Sequence, residues 1–273
     1  MSMKTTPIAW SIDDIPYTAL ERDRVADDLY CLYTVASASF VEITSDLYTR
    51  NLIEYFRGNA EVIDWLEHQW EPEEMQHGRA LRRYVETAWP DFDWEAAYRI
   101  FYEEYERYCR VDLLGPTPAL EMAARCVVET GTATFYRMLA ETSNEPVLRQ
   151  LTGNISRDEI GHYKHFYGYF RDYREREGTS RLALARALWN RVREVDDEDM
   201  YCAVKGVHAV LTPGVPLDEK IYDSFRRYRE RFLRAHFPFD MGARMILKPL
   251  ELGPLTSRLV RPALIAVARH AVG

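Results

Sequence analysis

Cysteine is scarce in this chain: Cys31, Cys109, Cys126 and Cys202 are the only four in 273 residues, and no two form a Cys-x-x-Cys pair. That excludes a zinc ribbon or a rubredoxin-like iron module, and it suits a reducing compartment where thiols serve as small buried apolar side chains. Long apolar runs are missing too. The N-terminal stretch MSMKTTPIAWSIDDIP holds nothing that fits a secretory signal. The most apolar segment, LVRPALIAVARHAV near the C-terminus, is interrupted by Arg261 and Arg269 and is too short to span a bilayer. A soluble, cytoplasmic protein is the expectation. Basic charge is also short. The 35 Lys and Arg face 43 Asp and Glu, for a formal net charge of −8, which argues against general nucleic-acid binding because that requires a basic surface to neutralise phosphates. Alternating strand patterns are nearly absent.

What the chain does have is apolar content, 47% of its residues, arranged with helical periodicity. Turn and breaker residues divide it into helical stretches at 18–57, 60–88, 93–111, 118–142, 146–177, 181–211 and 217–236, followed by a basic apolar tail. Asp93-Trp94 and Thr117-Pro118 read as helix starts. Helices this long joined by tight turns predict an all-α, antiparallel bundle. Pro72 is out of place in the second stretch, since inside a helix it removes a hydrogen bond, so a kink or break is expected there.

Two stretches share a pattern. EEMQHG runs from Glu73 to Gly78 and RDEIGH from Arg157 to His162, and each sets a Glu three residues before a His. With 25 Glu and 7 His in the chain, about 0.6 such pairs arise by chance. An isolated Glu-x-x-His is an ordinary accident of composition; the neighbouring acids change its meaning. Glu42 lies 16 residues before the turn at Gly58 and Glu74 lies 16 after it, so an antiparallel hairpin sets both about 24 Å from the turn. Glu129 and Glu159 lie 15 residues on either side of Asn144. Residues three apart on a helix share a face. Each hairpin therefore presents a lone Glu level with a Glu-x-x-His pair, and the two hairpins together collect four carboxylates and two imidazoles. Burying six such groups without a counter-charge is prohibitively costly. Two divalent cations would neutralise them, as in the di-metal carboxylate sites of helical bundles. The lone acids sit in the small, apolar stretches SASFVEITSDLY and ARCVVETGTATFY, where a surface Glu is unexpected.

In these features the chain resembles the ferritin-like di-iron carboxylate superfamily, and within it the soluble acyl-carrier-protein desaturases. WEPEEMQHG resembles the desaturase Trp-x-x-Glu-Glu-x-x-His-Gly segment, RDEIGH the Asp-Glu-x-x-His segment, and ETGT, Glu129 to Thr132, the family's Glu-x-x-Thr. Pro72 and the shorter length depart from plant desaturases. The resemblance implies a ferritin-like antiparallel four-helix bundle over 18–178. Residues 1–17 would be an N-terminal extension, and 179–273 would be additional helices packed on the bundle plus the tail. It implies that Glu42, Glu74 and His77 hold mainly one metal and Glu129, Glu159 and His162 mainly the other, with Glu74 and Glu159 bridging. Oxygen and imidazole donors suit two iron ions, or manganese with iron. Thr132 would hydrogen-bond bound oxygen or deliver a proton, or else bond back to its own helix. Asp158 would orient His77 through the imidazole's other N–H, or else face solvent. Trp10 is a candidate for the tryptophan that leads electrons to the metals in desaturases.

The activity so implied is a dioxygen-dependent desaturase or hydroxylase-type oxidase acting on an acyl chain or similar apolar substrate. Electrons would come from an external donor such as a ferredoxin, since the chain has no reductase motif. A carrier-bound substrate would need a basic dock, which RDYRER (Arg171 to Arg176) or RRYRERFLR (Arg226 to Arg234) would supply; either is equally an ordinary solvated helix face. The alternatives are a ferroxidase or peroxide-scavenging protein of the ferritin and rubrerythrin kind, and an interaction protein without chemistry. A homodimer is compatible with all three. The tail is expected to dock on the helices or on a second subunit; the less expected alternative is that this basic amphipathic segment lies on a membrane surface.

Overall fold

The computed structural model describes residues 8–109, 114–194 and 198–271, and among them helices account for nearly all regular structure and no strand occurs. Residues 1–7 of the expected extension, 110–111 of the third stretch, 195–197 of the sixth and 272–273 of the tail lie outside the described residues. The elements are α1 (Leu29–Ile43), α2 (Ser45–Tyr55), α3 (Ala60–Trp65), α4 (Glu71–Ala88), α5 (Trp94–Tyr105), α6 (Pro118–Thr142) and α7 (Pro146–Glu177). They continue as α8 (Arg181–Glu194), α9 (Glu198–Leu211), α10 (Glu219–His236), α11 (Phe239–Leu247) and α12 (Pro254–Ala271). None of these helices is long and apolar enough to cross a membrane.

The helix starts at 93–94 and 117–118 stand where the sequence places them. Asp93 accepts from the Ala96 amide at 2.9 Å, and the Thr117 hydroxyl accepts from the Leu120 amide at 3.4 Å. The Glu177 carboxylate adds to the second cap, accepting from the Ala119 amide at 3.0 Å, which places a negative charge at the positive end of α6. The first stretch differs from expectation. Residues 18–28 are not helical throughout but hold short 3₁₀ turns at Tyr17–Ala19 and Arg22–Arg24. The first α-helix starts only after Asp28, whose side chain accepts from the Cys31 amide at 2.9 Å. It is then interrupted at Thr44, whose hydroxyl turns back on the Phe40 and Val41 carbonyls. Serine and threonine side chains compete with the helix ladder in this way.

Pro72 does not break its helix. The chain runs from Ala60 to Ala88 with a single π-helical turn at Leu66–Trp70 directly before the proline. In that turn the Glu71 amide reaches back to the Leu66 carbonyl, five residues earlier, so the wider ladder absorbs the proline within the first turn of α4, where a missing N–H costs little.

Two compact units share the chain. The first comprises Met1–Leu114, Ser143–Leu151 and Asp196–Phe225. In it α1 packs on α4 and α9, and α5 packs on α9. Its core is an aromatic cluster: Phe40 meets Trp94 edge-on at 5.3 Å and stacks on Phe101 at 5.6 Å, and Phe101 stacks on Tyr105 at 4.6 Å. The buried Trp94 indole satisfies its N–H on Ser39 Oγ at 2.8 Å. The second unit comprises Gly115–Thr142, Thr152–Val195 and Arg226–Gly273. In it α6 packs on α8 and α11, and α11 packs on α12. Tyr163 of α7 donates to the Met245 carbonyl of α11 at 2.7 Å.

Candidate functional site

In the first unit α1 carries Glu42 one residue before its end, and α4 carries Glu74 and His77 one turn apart. All three are buried. One ligand atom from each lies within 4.8 Å of the others, and His77 Nδ1 stands 3.7 Å from Glu42 Oε2. What lets the two helices come so close is Gly78. A Cβ there would fall 2.4 Å from the Ile43 amide nitrogen and 2.7 Å from Ile43 Cα. No side chain fits that gap, so backbone passes backbone directly beside both Glu42 and His77.

Trp10 covers this triad from the side. Its ring stacks parallel to the His77 imidazole, with centroids 6.1 Å apart and planes 3° apart. Its carbonyl accepts from the Gln76 side chain at 3.0 Å. Trp10 is buried, and no local pattern in the sequence would have put it there. Glu73, unlike Trp10, is not among the residues that the sequence singles out: it is buried beside Glu74 and accepts from Gln69 at 3.4 Å.

The second unit repeats the donor set. Glu129 on α6 and Glu159 and His162 on α7 are buried, and one ligand atom of each lies within 4.8 Å of the others. His162 Nδ1 stands 3.6 Å from Glu129 Oε2 and 3.8 Å from Glu159 Oε2. In both triads the ring nitrogen turned toward the carboxylates is Nδ1. Ser156, one turn before Glu159, ties α7 to α6 by donating to the Ala133 carbonyl at 2.8 Å.

Thr132 is half-buried, and its hydroxyl lies 2.6 Å from Glu159 Oε2. It is also 3.3 Å and 3.4 Å from the Glu129 and Val128 carbonyls of its own helix. Both roles read from the sequence, contact with the site and bonding back to the turn, therefore lie within its reach. Asp158 is half-buried, adjacent to Glu159.

Electrostatically this triad is loaded. Burial pushes the Glu129 carboxyl up to about 8, the Glu159 charge adds to the rise, and His162 partly opposes it. Arg125, one turn back on α6, answers a different acid: it is paired with buried Glu121 at 2.8 Å. Cys126 is also buried beside this triad, and burial together with the Glu129 charge holds its thiol protonated. The donors on offer are carboxylate oxygen and imidazole nitrogen, with no thiolate. Such a set accepts a divalent cation such as iron or manganese, whose charge replaces the proton that burial otherwise favours.

The remaining histidines lie outside these groups. His208 is buried with its ring near the Tyr33 and Thr212 hydroxyls at 3.2 Å and 3.0 Å, His68 lies 3.3 Å from Asp64, and His236 packs on Phe232 at 4.8 Å. His165 is half-buried.

Compared with known proteins, the chain matches no family model, and no curated protein matches it in sequence. The donor geometry itself therefore carries the functional reading.

Proposed function

We propose that this chain is a dioxygen-dependent, non-haem di-iron oxidoreductase of ferritin-like four-helix architecture, with one metal ion held by each triad. Its substrate class is an acyl chain or similar apolar molecule, which it desaturates or hydroxylates. The observation that carries the reading is the duplicated buried triad, two carboxylates and an Nδ1-directed imidazole in each unit. Charged clusters of this kind are not retained inside a protein for packing, because each uncompensated carboxylate costs several kcal/mol of desolvation, of order 2–7 even for a neutral polar group.

Glu42, Glu74 and His77 would hold one ion and Glu129, Glu159 and His162 the other. When bound, ferrous iron would supply the electrons that activate dioxygen, the oxidant for the unactivated C–H bond, a chemistry that no side chain provides. The chain's own residues orient and insulate. Thr132 holds Glu159 through its hydroxyl and is the candidate proton donor. Asp158 is the candidate acceptor for a ligating imidazole's other N–H, with a solvent-facing role as the alternative. Trp10, stacked on His77, is the proposed route for electrons from an external donor such as a ferredoxin.

The test is anaerobic reconstitution with ferrous iron, followed by metal analysis and oxygen uptake with and without acyl substrates. Two ions per chain and acyl-accelerated oxygen consumption are expected, with His77→Ala and His162→Ala each lowering the metal content. Uptake of many irons per chain with substrate-independent oxidation would identify the ferroxidase alternative. Wild-type metal content in both variants would remove the metal reading.

A further inference from the structure

Helix α12 has two unlike faces, both apolar. Ser257, Arg261, Leu264, Ile265 and Ala268 are half-buried along one side, where α12 packs on α11. Arg261 lies 3.4 Å from Asp240 there, and the Arg269 guanidinium sits over the Phe239 ring at 5.2 Å. The opposite side carries Leu255, Leu259, Pro262, Ala263 and Ala266, spaced at i, i+4, i+7, i+8 and i+11, and all are exposed. Leu255 and Leu259 are 78% and 77% exposed, among the most exposed large apolar residues described. Val260 and Val267 widen the stripe on one flank, and exposed Arg258 and Arg269 border the other. A helix packed on a globular domain normally turns charge, not leucine, toward water.

The charge here is one-sided. Pro254–Ala271 holds three arginines and a histidine and not one acid, in a chain whose net charge is −8. Glu251, in the segment leading into α12, stands 2.8 Å from Arg174 and 3.9 Å from Arg171, and its carbonyl accepts from Arg181 at 3.4 Å. Next to Arg181, Leu182 is 81% exposed, so a second apolar side chain faces solvent in the same unit.

We propose that α12 is an interfacial helix which lays its Leu255–Leu259–Ala266 stripe into the surface of an anionic lipid bilayer, with Arg258 and Arg269 at headgroup level. Apolar area and cationic borders on one helix are the two requirements for such binding, and the arginine stems extend the apolar face while their heads stay wet. A second copy of the chain fits this face less well. Self-apposition of an acid-free helix brings arginine against arginine with nothing on it to answer the charge. The inference stands apart from the metal reading, since α12 carries none of the six ligands.

Flotation of the full 273-residue chain with phosphatidylglycerol–phosphatidylcholine vesicles, and with phosphatidylcholine alone, tests it. The chain should float with the anionic vesicles, scarcely with the neutral ones, and be released by added salt. The double variant Leu255→Asp, Leu259→Asp should lower anionic partitioning about tenfold or more. Arg258→Glu with Arg269→Glu should abolish the preference for anionic lipid. Because all four side chains are exposed, unchanged circular dichroism should confirm that each variant is folded. Absence of flotation, or equal flotation of wild type and the leucine variant, overturns the proposal. So does concentration-dependent self-association that the leucine variant abolishes without any vesicle binding, which would assign the face to a second copy.

Discussion

The Thr132 hydroxyl has one proton and three oxygens within reach, and the closest, at 2.6 Å, belongs to Glu159. That separation suits a hydrogen bond, so Thr132 is a positioning residue for a candidate metal ligand. Thr132→Val keeps shape and removes the donor, and should weaken metal affinity about 10-fold or more, read by calorimetric titration with manganese. Thr132→Ser should restore it. Equal affinity in the valine variant would assign the hydroxyl to its own helix instead. The Glu-x-x-Thr spacing was legible in the sequence, because residues three apart share a helix face. The partner on α7 was not: that pairing depends on how α6 and α7 are tied, by Ser156 among others. Trp10 shows the limit more sharply. Nothing within several residues of it specifies a neighbour, and its stacking on His77 exists only because the N-terminal segment folds over α4.

Among the elements, the crossing of α1 and α4 at Ile43 and Gly78 does most to build the first triad. Gly78→Ala forces a methyl into a backbone contact of 2.4 Å. Overpacking of this kind costs about 1–3 kcal/mol, so urea unfolding should show a loss of that size. Manganese binding should weaken as Glu42 and His77 separate. A variant as stable as wild type with undiminished binding would show that the crossing has slack. The long helices α6 and α7 were readable to their ends, because Thr117-Pro118 and Gly178 carry unambiguous start and stop chemistry. The first stretch was misread because 3₁₀ turns use the same polar, breaker-poor sequence as a helix start, and because the interruption at Thr44 depends on a hydroxyl choosing a carbonyl over solvent. Pro72 raised the right question about its helix. Its answer, a π turn one step earlier, is a compromise of ladder geometry that periodicity does not encode.

For the molecule as a whole, the buried acids make metal and pH interchangeable levers on stability. Glu129 has its folded-state pKa raised from the ordinary 4.5 to about 8. The folded state thus favours the neutral carboxyl. Its contribution to stability is complete below about pH 4.5 and is lost as pH rises through about 8. The metal-free protein should therefore show a thermal midpoint that falls across this window, and Glu129→Gln should flatten the fall. Manganese at a hundredfold excess over its Kd should add about 2.7 kcal/mol for each occupied site and should do so most visibly at the alkaline end. An unchanged pH profile in Glu129→Gln would place the titrating group elsewhere. Helical class, the main breaks between helices and the identity of the six candidate ligands were already determined by the linear chain, since periodicity, caps and equal spacing from a turn are local or nearly local properties. Only the tertiary structure decided that each triad closes within 4.8 Å, that Trp10 and Glu73 are buried near the first, and that α12 turns leucine outward. Those outcomes depend on which surfaces remain after distant segments have packed, and no local run of residues contains that information.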